Sequence, residues 1–362
     1  MPKIDALFDD LVKRGGTDLH LGAGYPPLAR IRGELVAIRE GLVDGRELEE
    51  VLFELLTPLQ RARLQANLDL EFAHAHRDTA RFRASYFNKS TGLAAVFRLV
   101  PVRVLTLAEL ACPEVLWRLA DRRGGIVLVA GPTGSGKSTT LAAMLDHINK
   151  TRACHILTIE DPVEFVHEPL RAHITHREIG VHAPSFATAL RSAGRENPDV
   201  VLVSELRGTE TTKLTLQLAN QGILVFATMP TNGAAATIEQ LIGAFPEGEQ
   251  PQVRGLLAES LVGIVSQQLV RTSDGKTRAA VHEILVGSAA VSALVREAKT
   301  AQLANVMQGG QAAGMSTMDM GLERLLTQGR ISAEDALDRA VDREQFAQVI
   351  ARVRPDLAEG LG

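Results

Sequence analysis

Gly131-Pro132-Thr133-Gly134-Ser135-Gly136-Lys137-Ser138-Thr139 follows an apolar run, Ile126 to Ala130, and precedes a segment with Leu141, Met144, Leu145 and Ile148 on one helical face. A strand, a glycine-rich turn and a helix start are the setting of a phosphate-binding P-loop, and every fixed position of G-x-x-x-x-G-K-[ST] is filled. The glycines let successive backbone N–H groups turn inward around phosphate oxygens, where a Cβ would obstruct them. The helix that follows adds the positive end of its dipole. Lys137 is placed to reach the β- and γ-phosphates, and the Ser138 hydroxyl to ligate Mg²⁺. The pattern predicts ATP with Mg²⁺ as cofactor, cradled by residues 131–139. An ordinary glycine-rich turn is the competing reading, and it leaves the fitting flanks unexplained.

Downstream of Ile126, strands and helices alternate as in a mostly parallel α/β sheet, with strand candidates at 126–130, 155–159, 199–203, 223–228 and 279–285. After about 287 the pattern is helical. Ser332 followed by Asp335 reads as a capping box, and Gly329 as the end of the preceding helix. Upstream, residues 1–104 read as a small α+β domain. A first helix carries Leu7 and Leu11 and ends at Gly15-Gly16. Short alternating runs follow at Asp18 to Leu21 and Leu28 to Arg32, then helices at about 46–57 and 58–67. Strand candidates at 68–73, 80–87 and 92–99 close the domain, and Pro101 to about Pro113 reads as a linker. In Arg81-Phe82-Arg83 and Val96-Phe97-Arg98, alternation puts apolar residues on one face and arginines on the other. Periodicity alone makes that second face a solvated one.

The 362 residues suffice for two or three domains, and the 45% hydrophobic and 23% charged content is ordinary for a globular chain with a good core. A net charge of −4 gives no global attraction to nucleic acid or an anionic membrane. The two cysteines, Cys112 and Cys154, form no C-x-x-C pair, which argues against a zinc site or a disulfide scaffold and suits a reducing cytoplasm. The opening Met-Pro-Lys-Ile-Asp has no apolar signal core, and no run approaches the ~18 apolar residues of a membrane span. Association with a membrane is therefore expected through a protein partner.

Two acidic clusters accompany the P-loop. In Ile156-Leu157-Thr158-Ile159-Glu160-Asp161-Pro162-Val163-Glu164, an apolar strand ends at Pro162 and three carboxylates gather at its C-terminal end, where α/β sheets bind ligands. A solvated turn is the bland alternative, and proximity to the phosphate site favours catalysis. In Asp199-Val200-Val201-Leu202-Val203-Ser204-Glu205-Leu206-Arg207, a buried strand closes on a carboxylate in the Walker B position. There Glu205 can hold Mg²⁺ through water or orient the attacking water.

These residues bring a family into view. The chain resembles the secretion-type hexameric ATPases and, within them, the PilT/PilU family of type IV pilus retraction motors. The resemblance spans nearly the whole sequence. Besides the P-loop and both acidic clusters it is carried by Thr17 to Leu21, Arg81 to Arg83, Ala95 to Arg98, Arg177-Glu178 and Ala189 to Arg191. Arg195 to Asp199, Gln267 to Leu269 and Gly314 to Asp319 complete it. The resemblance implies a PAS-like domain (1–104), a RecA-like P-loop ATPase core (105–286) and a helical C-terminal part of that ATPase domain (287–362), assembled as a homo-hexamer. It implies ATP between the two domains of one subunit and against a neighbour. Glu160, Asp161 and Glu164 fall in the family's Asp box, with Glu164 a candidate to polarise the attacking water, and Glu205 matches the Walker B glutamate. Arg81, Arg83 and Arg98 become candidates to reach the γ-phosphate. The implied setting is cytoplasmic, peripheral to the inner membrane, with a pilus platform protein and a paralogous motor ATPase as partners and no nucleic acid.

The sequence departs from the family in two places. The His box carries histidines at positions held here by Ile223 and Pro230, in Gly222 to Asn232; Thr228 and Asn232 are the donors that remain. Proline has neither a polar side-chain atom nor an N–H. Nearby, Ser204 stands for a glycine and Gly208 for an aspartate. A basic element of the retraction motors, Ala-Ile-Arg-Asn-Leu-Ile-Arg-Glu-Gly-Lys, survives by half at Ala290 to Lys299, with Ser292 and Ala293 in place of long polar groups. An Mg²⁺-dependent ATPase motor driving retraction and twitching is the leading reading. An accessory or weakly hydrolysing ring subunit is the alternative. A pilus-extension motor is disfavoured by the lack of a four-cysteine zinc motif. The remaining histidines, among them His155, His173, His176 and His182, read as surface or core residues.

Overall fold

The computed structural model describes residues 4–353 apart from 32, 78, 101 and 102. Arg32 and Pro101, placed above in a strand and a linker, and the end of the C-terminal part, 354–362, lie outside the described residues. The chain divides into two units: Met1–Arg103 with Asp161–Val166, and Val104–Glu160 with His167–Gly362.

The N-terminal unit runs α1 (Asp5–Lys13), β1 (Asp18–Gly22), β2 (Leu28–Ile31), β3 (Glu34–Ala37), α2 (Gly45–Phe53), α3 (Pro58–Asn67), β4 (Asp69–His76), β5 (Ala80–Lys89) and β6 (Gly92–Val100). Local chemistry sets its boundaries. Thr57 and Gln60 form a reciprocal capping box at α3, Pro58 fills the first turn, and Leu68 in the left-handed region stops the helix. The six strands form one sheet in the order β3-β2-β1-β6-β5-β4, every pair antiparallel. This is the PAS-like α+β body expected from the sequence. Strand β3 was not anticipated, because its four residues are all exposed and give no alternation.

One face of this sheet packs against the helices. Phe8 of α1 stacks on Phe82 at 4.3 Å and meets Phe97 edge-on at 5.0 Å; Tyr86 and Phe72 extend the cluster. The buried Tyr86 hydroxyl donates to the Leu52 carbonyl at 3.0 Å, and burial raises its pKa well above the usual phenol value. Leu48, Leu52 and Leu64 close this core.

The second unit runs α4 (Val115–Ala120), β7 (Gly125–Ala130), α5 (Lys137–Thr151), β8 (His155–Glu160), β9 (His173–Glu178), α6 (Phe186–Ala193), β10 (Val200–Val203), α7 (Thr209–Asn220), β11 (Leu224–Met229), α8 (Ala234–Gly243), α9 (Gln250–Ser260), β12 (Leu261–Arg271) and β13 (Arg278–Val286). Helices α10 (Ala289–Arg296), α11 (Leu303–Gly309), α12 (Met318–Thr327), α13 (Ala333–Arg339) and α14 (Arg343–Val353) complete it. The sheet order is β13-β12-β7-β11-β10-β8-β9, parallel except for β13. Every residue of β7, β10 and β11 is buried, as a parallel sheet covered on both faces requires. Leu141, Met144, Leu145 and Ile148 of α5 fill the core on one face with Val127 and Val129. Helices α6 to α9 cover Ile126 and Leu128 on the other. This is the RecA-like unit, and the helical C-terminal region follows it as expected.

Two strands of this sheet had escaped the sequence. Strand β9 is a polar edge strand, half-exposed along most of its length. Strand β12 follows Ser260 with no intervening residue, so helix and strand read as one apolar stretch. Ser332 caps α13, accepting from the Asp335 N–H at 3.1 Å, but the expected box is formed by half: the Asp335 carboxylate accepts from the Ser332 hydroxyl instead of its backbone N–H. Gly329 sits just past α12 at φ 67°.

Replacing Phe82 by alanine removes the ring on which Phe8 stacks, and the site is walled by rigid neighbours. We expect a loss of about 3–5 kcal/mol, read as a lower urea midpoint for the far-UV transition.

Candidate active site

Because β7, β8, β10 and β11 are mutually parallel, Ala130, Glu160, Val203 and Met229 end on one edge of the sheet. The P-loop leaves β7 there. The Gly136 N–H-bearing turn starts α5, with the Thr140 N–H donating back to the Gly136 carbonyl at 3.0 Å. Pro132, Thr133 and Gly134 are exposed; Gly136, Lys137, Ser138 and Thr139 are half-buried. Lys137 Nζ donates to the carbonyls of Gly131 at 2.8 Å and Pro132 at 3.0 Å, so it lies folded across the mouth of the loop. The Ser135 hydroxyl is buried without a hydrogen-bond partner among the described residues. A buried hydroxyl without a partner in a loop of this sequence is a group that a bound phosphate can satisfy.

The loop is clamped from behind by a residue to which the sequence had assigned no role. Gln267 of β12, itself buried, donates from Nε2 to the Ser135 carbonyl at 2.7 Å. Its Oε1 accepts from the Thr140 hydroxyl at 2.7 Å. This packing explains two of the glycines. A Cβ on Gly131 (φ 146°) would fall 2.3 Å from the Gln267 carbonyl oxygen, and one on Gly136 (φ 86°) 2.8 Å from Gln267 Nε2. The neighbouring Ser266 accepts from the Gly233 N–H at 2.9 Å, and Glu283 of β13 accepts from the Ala234 N–H at 2.6 Å and the Met318 N–H at 3.3 Å. Burial pushes the Glu283 carboxyl above its usual range, partly offset by those amides. The strand that clamps the P-loop thus also fixes the start of α8.

Glu205 lies two residues past β10, and Arg207 donates to its Oε2 at 2.7 Å. Its backbone is held by the Leu206 N–H on the Thr228 carbonyl and by the Thr228 hydroxyl on the Ser204 carbonyl. Thr228, one of the two donors remaining in the altered His box, is therefore committed to the Walker B segment. Ile223 precedes β11 and Pro230 follows it, exposed, so they stand at opposite ends of that strand. Hydroxyl and carboxylate oxygens, as in Ser138 and Glu205, form a hard donor set of the kind Mg²⁺ takes.

Glu160 is the last residue of β8 and is buried. Asp161 and Glu164 fall in the segment that groups with the N-terminal unit. There Glu164 Oε1 lies 3.5 Å from Arg83, which also donates to Glu71 at 2.8 Å. Arg83 stands opposite Arg98 in the sheet register, and Arg98 opposite Asp18. Arg98 Nε donates to the Asp18 carboxylate at 2.9 Å. Burial works to raise the Asp18 pKa, but the Thr17 hydroxyl and Arg98 outweigh it and hold the carboxyl below its usual range. Arg81 shares the face of Arg83 and is half-buried, its Nε without a hydrogen bond among the described residues. The structure therefore gathers Lys137, Ser138, Glu160 and Glu205 at one sheet edge of the second unit, and the three arginines with Glu164 on one face of the first.

A half-open cavity of about 940 Å³ elsewhere in the second unit is lined by Glu283, Met318, Asp319, Glu323 and Phe346 among others. Its acids are already engaged: Asp319 accepts from the Val341 and Asp342 N–H groups, and Glu323 pairs with Arg352. The P-loop does not line it, and we place the chemistry at the sheet edge.

With this geometry in view, residues 57–350 match the family model described as type II/IV secretion system protein. The chain belongs to that family. It is 46% identical over 321 residues to a twitching motility protein of Neisseria gonorrhoeae, covering 89% of this chain and 86% of the relative. It is 44% identical over 334 residues to a protein of Pseudomonas aeruginosa named type IV pilus retractation ATPase PilT, covering 92% and 97%. A crystal structure of the pilus retraction motor PilT with bound ADP superposes with a TM-score of 0.87 at 37% identity, covering 95% of this chain and 98% of that one. Within its family the chain stands with the pilus retraction ATPases.

Substituting Gln267 by leucine leaves the Ser135 carbonyl and Thr140 hydroxyl buried without partners. We expect about 2–4 kcal/mol lower stability and roughly tenfold weaker ADP binding, measured by thermal unfolding and fluorescent-nucleotide titration.

Proposed function

We propose that this chain is the ATP-hydrolysing subunit of a homo-hexameric motor that drives type IV pilus retraction. The observation that carries the reading is the P-loop, complete in sequence and clamped by Gln267, with Glu160 and Glu205 at the ends of the same parallel sheet. The near end-to-end match to a relative named as a retraction ATPase supplies the biological setting.

The amides of residues 131–139 bind the triphosphate, and Lys137 exchanges a loop carbonyl for a phosphate oxygen. Mg²⁺, when bound, neutralises charge on the β- and γ-phosphates, and Ser138 and Glu205 are the residues to hold it. Glu205 orients the attacking water, Glu164 polarises it, and Glu160 and Asp161 complete the acidic edge. Arg81, Arg83 and Arg98 supply positive charge to the γ-phosphate, a contribution worth ~10³–10⁵ in rate for an arginine so placed. For Arg83 this requires exchanging Glu164 for phosphate. The domain limits 1–104, 105–286 and 287–362 remain our working scheme. No helix among the described residues is long and apolar enough to cross a membrane. We assign the motor to the cytoplasmic face of the inner membrane, held by a pilus platform protein and working beside a paralogous motor. The accessory-subunit alternative rests on Ile223 and Pro230 and is not favoured by the named relatives.

Steady-state phosphate release tests the reading. Lys137→Ala is expected to abolish turnover, and Glu205→Gln to retain nucleotide while slowing it by about a hundredfold. Unchanged release by Lys137→Ala at saturating ATP excludes the site. A wild-type rate equal to that of Lys137→Ala, with nucleotide still bound, selects the accessory reading.

A further inference from the structure

Strands β8 and β9 pair in parallel with Thr158 opposite His176 and Glu160 opposite Glu178. Thr158 and Glu160, two residues apart, share one face of β8, and His176 stands on that face across the ladder. Its ring is fixed from both sides. Nε2 accepts the backbone N–H of His167 at 3.3 Å. A neutral ring whose Nε2 accepts carries its proton on Nδ1. Nδ1 lies 2.8 Å from the Thr158 hydroxyl oxygen and 3.8 Å from Glu160 Oε1. The hydrogen-bond pattern thus assigns one N–H, on Nδ1, aimed at the side where the carboxylate sits.

A second imidazole packs against this arrangement. The His167 ring stacks on His176 with centroids 6.1 Å apart and planes 13° from parallel. Burial, then the neighbouring His176, lower the His167 pKa to about 4, against the opposing pull of Glu160 and Asp146. Glu160 itself is 6% exposed, so solvent contributes little to holding its orientation.

We propose that His176 is a positioning residue for Glu160. Its Nδ1–H holds the Thr158 hydroxyl and presents a positive dipole to the carboxylate, restricting Glu160 to one orientation at the nucleotide edge of the sheet. His167 locks the tautomer through its amide and shields the ring from water. The proposal rests on the reading of Glu160 as part of the hydrolytic site.

The test is kinetic, on the full chain with Mg²⁺ and ATP. His176→Leu keeps the volume and loses the donor; His176→Asn restores an N–H near the place of Nδ1. His176→Leu is expected to lower kcat about tenfold, with KM and ADP affinity within about twofold of wild type, and His176→Asn to recover most of the loss. The double variant His176→Leu with Glu160→Gln should be no slower than Glu160→Gln alone, because the two act through one carboxylate. Wild-type turnover in His176→Leu overturns the proposal. So does an asparagine variant as slow as the leucine variant, or a loss that adds in full to that of Glu160→Gln. A wild-type rate no higher than that of Lys137→Ala is a different result: it removes the hydrolytic reading, and this proposal with it.

Discussion

The amide of Gln267 is the contact on which the nucleotide site hangs. A P-loop is a strained, glycine-rich turn whose amides must converge without a ligand to organise them. Here a single buried side chain bridges its two halves, donating to the Ser135 carbonyl and accepting from the Thr140 hydroxyl of the first helical turn. The bridge works because β12 lies directly beside β7, so the amide arrives at the back of the loop while the front stays open. Both bonds are buried, where hydrogen bonds are strong and broken ones costly. The same strand sends Ser266 to Gly233 and pairs with the strand bearing Glu283, so P-loop position and the α8 start are mechanically linked.

A different constraint shapes the N-terminal sheet. Its helix-covered face is filled by aromatic rings, and the opposite face carries a row in which Arg30, Asp18, Arg98 and Arg83 stand side by side across four strands. Two arginines directly opposite one another repel. Asp18 at one end and Glu71 with Glu164 at the other offset that repulsion. The face therefore concentrates positive charge while keeping each guanidinium in a defined place. A phosphate competes for those cations on equal chemical terms, since carboxylate and phosphate oxygens offer arginine the same bidentate geometry.

No imidazole stands at either end of β11. At β11, the ends carry isoleucine and proline, and the Thr228 hydroxyl is committed to the Ser204 carbonyl. At β8, β9 and the segment that joins them, a threonine, two stacked imidazoles and a glutamate form a compact polar group, with Glu178 opposite Glu160 in the ladder.

What could be read from the sequence alone was contiguous. Nine consecutive residues specify the P-loop, since the backbone itself supplies the phosphate ligands; buried strands such as Ile156 to Ile159 announce themselves by composition, and the acids that end them follow from chain order. Strands β3, β9 and β12 were lost for physical reasons: the first is wholly exposed, the second is a polar edge, and the third runs on from a helix without a turn. With β9 went His176, and with β12 went the role of Gln267. The Gln267 contact joins residues 132 positions apart, and no local pattern marks an amide as a clamp. The pairing of Arg83 with Glu164 likewise depends on a segment after β8 grouping with the N-terminal unit. Sequence determined which atoms could touch a nucleotide; only the folded sheet, by bringing distant strands into register, decided which side chains hold those atoms in place.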